Sequence, residues 1–167
     1  GRGLDLVAVS TGPGAFTGLR VGVSIALGLS VSRGIPVVGL SSLMVRAARH
    51  DAPRVLALLD ARKGRVYAGL FDSSGPIPRP GGHEVDALLD DVLSGPVGVA
   101  TGEGAEVRRS ELEAAGWGVV DQPCSCPAGA VARLGLASEV AGTASELQLR
   151  YIRAPDTKKP ATKERTS

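Results

Sequence analysis

Apolar residues fall in short blocks along this chain, and their spacing alternates between strand-like and helix-like. Leu4, Leu6, Val7, Ala8 and Val9 form a run that ends at Ser10 and a Gly12-Pro13-Gly14 turn, which reads as a buried strand. From about residue 17 to 33 the apolar positions recur at helical spacing, and 36–40 is again a short buried strand. Ser41 and Ser42 then cap a helix expected to run to about Arg49. Between the runs 55–60 and 65–71 lie only Ala61, Arg62, Lys63 and Gly64, which predicts an antiparallel hairpin. Residues 72–82, rich in Pro, Gly and Ser, read as a loop with a short edge strand. Helices are expected over 85–93, 105–115 and 128–140, with short strands at 97–100 and 119–120. This alternation predicts an α/β fold, and the hairpin makes its sheets mixed rather than purely parallel.

The helix over 17–33 carries two rows at four-residue spacing. Gly18, Gly22, Ala26 and Ser30 form a ridge of small residues, and Leu19, Val23, Leu27 and Val31 form an apolar row beside it. One row is expected to face the sheet and the other to meet a partner helix, which the small ridge would let approach closely. Gly18, Leu19, Gly22, Val23, Ala26, Leu27 and Ser30 are therefore the candidate partner interface.

The strand–turn–helix junction itself has two readings. It aims backbone N–H groups and the positive end of a helix dipole at whatever lies above the turn, as an anion cradle does. It also fixes a tight turn for a closely packed helix, and the residues favour this second reading. A Walker A loop needs Lys then Ser or Thr after its last glycine, whereas Gly18 is followed by Leu19 and Arg20. A dinucleotide fingerprint needs a third glycine where Thr17 stands.

Composition narrows the class. The 167 residues are 43% apolar but only 3% aromatic, so the core is built from Ala, Val and Leu. The 23 glycines and 11 prolines mark short connections between apolar blocks. No apolar run reaches the roughly 18–20 residues of a membrane span. The net charge is +2, yet residues 150–167 hold six basic and two acidic side chains. Such a segment attracts polyanions through salt-sensitive electrostatics, but Pro155, Pro160 and the lack of apolar periodicity favour a solvated tail.

Four stretches together carry a family resemblance. Residues 12–22 (Gly-Pro-Gly-Ala-Phe-Thr-Gly-Leu-Arg-Val-Gly), 34–43 (Gly-Ile-Pro-Val-Val-Gly-Leu-Ser-Ser-Leu), 59–67 (Leu-Asp-Ala-Arg-Lys-Gly-Arg-Val-Tyr) and 149–153 (Leu-Arg-Tyr-Ile-Arg) resemble the TsaB family, also called YeaZ. The resemblance makes Gly12, Pro13, Gly14, Phe16, Thr17 and Arg20 the family's signature turn. It implies an actin-like fold of two related α/β lobes, of the sugar kinase and Hsp70 type. It also implies a role in making threonylcarbamoyl-adenosine beside the tRNA anticodon. In that process the chain would be a non-catalytic cytoplasmic scaffold, as a homodimer or bound to the catalytic relative TsaD, with the ATPase TsaE in the same assembly. tRNA would be met through the complex, and ATP, if bound, at a subunit interface. Family members begin with an Asp-Thr-Ser strand, two more strands and a helix before the glycine turn, so this sequence is expected to lack its N-terminal part. On that basis residues 1–50 are a remnant of the first lobe, 51–148 the second lobe with its last helix returning toward the first, and 149–167 a basic tail.

The remaining chemical candidates are few. Cys124 and Cys126 form a C-x-C pair without a second pair, and His50 and His83 lie apart, so free cytosolic thiols are expected and no metal site. The metal-binding histidine motif of TsaD is absent from the sequence. Asp60, followed by Arg62 and Lys63, reads as a turn Asp that caps backbone N–H groups, with a metal-binding or base carboxylate as the alternative. Gly102 and Gly104 sit at a second strand–glycine–helix junction and are the candidate nucleotide-contacting residues. No nucleophile elbow is present. Two other classes remain: an actin-like ATPase or glycoprotease-like enzyme, and a direct tRNA-binding module using the basic tail.

Overall fold

The structure is a computed structural model that describes residues 3–75, 77–81, 84–93, 97–120, 128–138 and 142–152. Cys124, Cys126, His83 and residues 153–167 of the basic tail lie outside the described residues. Two sheets organise the chain. The first is a parallel pair, β1 (Val7–Gly12) and β2 (Val37–Ser41), in register from Val7 opposite Val37 to Gly12 opposite Ser41, with an irregularity after Ser10. The helix α1 (Phe16–Arg33) crosses between them and stops at Gly34, whose positive φ of 63° lets its N–H turn back to Ser30 O.

Next comes α2 (Ser42–Ala47), capped as its sequence demands: Ser41 Oγ accepts from the Leu43 and Met44 N–H groups at 3.1 and 3.3 Å. The second sheet follows. Its strands β3 (Val55–Asp60) and β4 (Arg65–Asp72) pair in an antiparallel hairpin. β5 (Arg79–Pro80) and β6 (Val85–Leu88) line up along β4, while β7 (Val99–Thr101) runs parallel to β3 and to β8 (Gly118–Val119). The sheet is therefore mixed. Helices α3 (Leu89–Val92), α4 (Glu103–Val107), α5 (Arg109–Ala114) and α6 (Ala128–Ala137) complete the fold.

β3 shows why its sequence is a nearly unbroken apolar run. Leu56 and Leu58 point to one face, where Val66, Ala68, Leu89, Ala105, Leu112 and Trp117 close around them. Val55, Ala57 and Leu59 point to the other face, against Leu43 and Ala47 of α2 and against Phe71. A strand buried on both sides has no polar alternation to display. A third cluster joins β2 to α6 through Val38, Leu40, Val45, Ala130 and Leu134. Here Gly135 has no room for a side chain, since a Cβ would lie 2.5 Å from Ala8 Cβ.

Two expected helices are corrected. Residues 85–93 are not one helix: Val85–Leu88 pairs with β4 from Ala68 back to Arg65, and only Leu89–Val92 is helical. The long strand β4 leaves an edge to fill, and Arg65 Nε reaches Asp86 Oδ1 at 2.7 Å to hold the pairing. Residues 105–115 are two helices, α4 and α5, broken at Arg108, which has φ −109° and ψ 22°. The strand expected at 119–120 is β8, one residue earlier.

Candidate functional site

The four sequence stretches that carry the family resemblance meet at one place. The irregular end of β1 brings Gly12 into a φ of 112°, and a Cβ there would sit 2.7 Å from Arg150 O and 3.0 Å from Leu19 Cδ1. Glycine is required at this close approach. The Gly12–Pro13 peptide is cis, and α1 starts at Phe16 without a side-chain cap from Ala15.

The segment 149–152 lies directly across this turn rather than in a solvated tail. Arg150 N–H donates to Thr11 O at 2.9 Å. The Tyr151 ring packs against Phe16 at 5.4 Å between centroids, and the Arg20 guanidinium stacks on the other ring's face, 3.8 Å from the Phe16 centroid. Arg20 Nε also donates to the Tyr151 hydroxyl at 3.2 Å. Behind them Arg150 Nη1 faces Glu84 Oε2 at 3.3 Å, and Glu84 Oε1 accepts from Ser41 Oγ.

Below this cluster opens a cleft of about 800 Å³. Its walls are residues 13–17 of the turn, Ser42 and Arg46 of α2, residues 59–62 and Tyr67 of the hairpin, and 150–152. On its floor Arg46 binds Glu103 with two nitrogens, Nε to Oε2 at 2.9 Å and Nη2 to Oε1 at 2.7 Å. Burial pushes the Glu103 carboxyl up, but the Arg46 hydrogen bond, the backbone N–H of Glu103 and the Arg46 charge together hold it below its ordinary value. A second, apolar groove of about 770 Å³ shares Ser42 and Arg46 and continues between α1 and α6 over Leu6, Ala8, Leu19 and Val131.

The other sequence candidates have identifiable structural roles. Asp60 Oδ1 accepts from Arg62 N–H at 2.8 Å, which is the turn role. It steadies a hairpin in which Arg62, Lys63 and Gly64 all have positive φ, of 62°, 53° and 77°. Gly102 has φ 101° and meets Leu58 O where its Cβ would be, while a Cβ on Gly104 would lie 2.9 Å from the Leu58 and Leu59 carbonyl carbons. Both glycines thus let α4 approach the backbone of β3. His50 Nε2 bonds Thr101 Oγ1 at 2.8 Å, and burial, then the Arg49 charge, lowers its pKa.

Along α1 neither predicted row is wholly exposed. Val23, Ala26 and Ser30 are buried against the body of the protein, with Leu19 and Leu27 half-buried beside them. Positions 19, 23, 26 and 30 form the inward stripe of a helix, so it takes members of both rows. The outer face instead presents Val21, Ile25, Leu29 and Val31, with Ile25 59% and Val31 71% exposed. Gly18, Gly22 and Gly28 have open space where a side chain would stand. Of the predicted interface residues, Gly18 and Gly22 border this outer apolar arc, whereas Val23, Ala26 and Ser30 are already covered within the chain. Sequence reasoning missed Arg46, Glu84 and Glu103, which are far apart along the chain. It quoted Tyr151 within a motif without giving it a role.

The chain is a mixed α/β structure whose glycine turn lies against a returning C-terminal segment. Comparisons with known proteins give its class: the match to YeaZ structures implies an actin-like fold. The family model described as TsaD, tRNA N6-adenosine threonylcarbamoyltransferase, matches residues 2–107. Solved Pseudomonas aeruginosa structures superpose with TM-scores of 0.73 and 0.68 at 25% and 26% identity; each match covers about nine-tenths of this chain and 74% of the other. One of them is YeaZ, and the other is described as similar to the peptidase YeaZ. The Escherichia coli tRNA threonylcarbamoyladenosine biosynthesis protein TsaB is 44% identical over 68 residues, 38% of this chain and 29% of TsaB. An uncharacterized Mycobacterium bovis protein is 33% identical over 155 residues, 93% of this chain and 67% of that protein. The chain belongs to the TsaB (YeaZ) family. It spans less than a third of the length of the curated Escherichia coli and Bacillus subtilis TsaB proteins in these matches.

Proposed function

We propose that this chain acts as a non-catalytic scaffold in the threonylcarbamoyladenosine modification of tRNA, docking the catalytic subunit TsaD, or a second copy of itself, through the outer face of α1. The observation that carries this reading is the character of α1. It has 18 residues, carries apolar side chains on its outer as well as its inner side, and leaves Val21, Ile25, Leu29 and Val31 exposed among only a few polar residues (Thr17, Arg20, Ser24 and Ser32). A helix that is hydrophobic all round is stable in water only when both sides are covered. The side facing the sheet is covered within the chain, so the outer side calls for a partner. Gly18, Gly22 and Gly28 leave the backbone flush for close helix–helix approach. Family membership supports the process, and TsaD as the partner is what the family resemblance implies.

The test is light scattering on size-exclusion fractions of the chain alone and mixed with TsaD, repeated with Ile25→Asp. The expected result is an assembly that Ile25→Asp dissolves while the variant stays folded. An unchanged assembly in that variant overturns the docking face. Because the family model is described as a transferase, intrinsic activity is the competing reading. Formation of threonylcarbamoyladenosine by this chain without TsaD would establish it.

A further inference from the structure

We propose that Tyr151, backed by Arg150, is a positioning residue for the docking helix: the segment 149–152 is a clasp that fixes the direction in which α1 presents Val21, Ile25 and Leu29. The inference rests on the reading of α1 as the partner-binding helix and adds the device that aims it.

The two ends of α1 are held by different means. At its C-terminal end Ser30 Oγ donates to Ile35 O at 2.6 Å and Gly34 N–H returns to Ser30 O. That end is fixed by the helix's own continuation into β2. The N-terminal end has no side-chain cap, and Phe16, Thr17 and Gly18 are exposed. Among the described residues, the side-chain hydrogen bond made by residues 16–20 is that of Arg20 to Tyr151. Tyr151 also supplies the ring on which Phe16 rests, while Arg20 stacks over Phe16, so three side chains brace one another. The brace is in turn tied to the body. Arg150 reaches Thr11 O through its backbone and Glu84 through its side chain, and Glu84, only 10% exposed, is anchored on the α2 cap Ser41.

Geometry makes this hold consequential. Thirteen residues separate Phe16 from Leu29, about 20 Å of helix, so a tilt of about 10° displaces one end by roughly 3 Å against the other. Close-packed helix interfaces do not tolerate shifts of that size. A loosened clasp leaves the docking side chains in place and misdirects them.

The experiment compares Tyr151→Ala and Tyr151→Phe with the wild type in two measurements, with Trp117 fluorescence to verify folding. Hydrogen exchange of the α1 amides is expected to accelerate about tenfold near residues 19–22 in Tyr151→Ala, with the β3–β4 hairpin unchanged, because an aromatic contact and its hydrogen bond are lost. Association with TsaD is expected to slow by a similar factor in the same variant. Tyr151→Phe, which keeps the ring, should restore most of both. A merely structural role would lower stability without changing the association rate of the folded fraction. Unchanged exchange overturns the clasp. Faster exchange with unchanged association overturns its positioning role. If Ile25→Asp leaves wild-type association untouched, the docking reading itself fails and the positioning role falls with it, whatever the exchange data show.

Discussion

Arg46 and Glu103 are 57 residues apart in the chain and joined by two hydrogen bonds of 2.9 and 2.7 Å across the floor of the cleft. The pair ties α2, which packs against both sheets, to the first turn of α4. Arg46 is 12% exposed and Glu103 42%, so the arginine has more to lose if its partner is neutralised.

The pair sets a pH dependence. The folded state holds the Glu103 carboxyl below its ordinary value of 4.5, so its contribution is present above that value and lost as pH falls through the lowered one. Glu103→Gln should cost about 1 kcal/mol at neutral pH, after discounting for exposure, and flatten that part of the acid limb. Urea denaturation at several pH values, followed by the single tryptophan, checks it.

Two helical glycines should respond in opposite directions to the same substitution. Alanine at Gly28 enters open space and gains helix propensity, for a stabilisation of about 0.5–1 kcal/mol. Alanine at Gly104 gains the same propensity but drives a methyl against the β3 backbone at 2.9 Å, which cannot rotate away. Overpacking of about 2–3 kcal/mol then outweighs the gain. Thermal melts of the two variants should move to opposite sides of the wild type.

Ser41 Oγ serves three partners at once, accepting from the N–H groups of Leu43 and Met44 and donating to the carboxylate of Glu84. Ser41→Ala should cost about 2 kcal/mol, more than a helix cap alone, because a largely buried carboxylate loses a donor. A Ser41→Ala, Glu84→Gln double variant should cost less than the sum of the single changes in equilibrium unfolding.

His50 gives a second pH window. Its pKa lies below 6.5, so from 6.5 down to the lowered value the unfolded chain binds the proton more readily. Stability is fully present above about 6.5 and declines as pH falls through that window. His50→Gln, which retains a polar group near Thr101, should remove that part of the decline in a melting-temperature profile from pH 7.5 to 5.

Much of this architecture is legible in the sequence where local chemistry decides it. The four-residue gap between 60 and 65 could only be a hairpin, Ser41 is a cap with its helix attached, and Gly34 ends α1 for lack of a Cβ. Legibility fails where tertiary contacts decide. Val85–Leu88 has a pattern that serves a helix or a strand, and the open edge of β4 makes it a strand. The inward stripe of α1 was hidden because apolar residues such as Val21, Ile25 and Leu29 are interspersed with the exposed Thr17, Ser24 and Ser32, leaving no continuous polar face to mark the outside. At the site, the motifs were visible one by one, but their meeting was not. No spacing rule links Arg46 to Glu103, or Arg20 to Tyr151.

That last separation has a kinetic meaning. Arg20 and Tyr151 stand 131 positions apart, and closing a loop of that length costs about 4 kcal/mol of chain entropy before any contact repays it. Contacts this distant along the chain raise the contact order and slow folding. A protein still folding would hold no clasp and present a poorly aimed helix. On the proposed docking role of α1, competence to assemble would then depend on residues 149–152 having reached their place across the glycine turn.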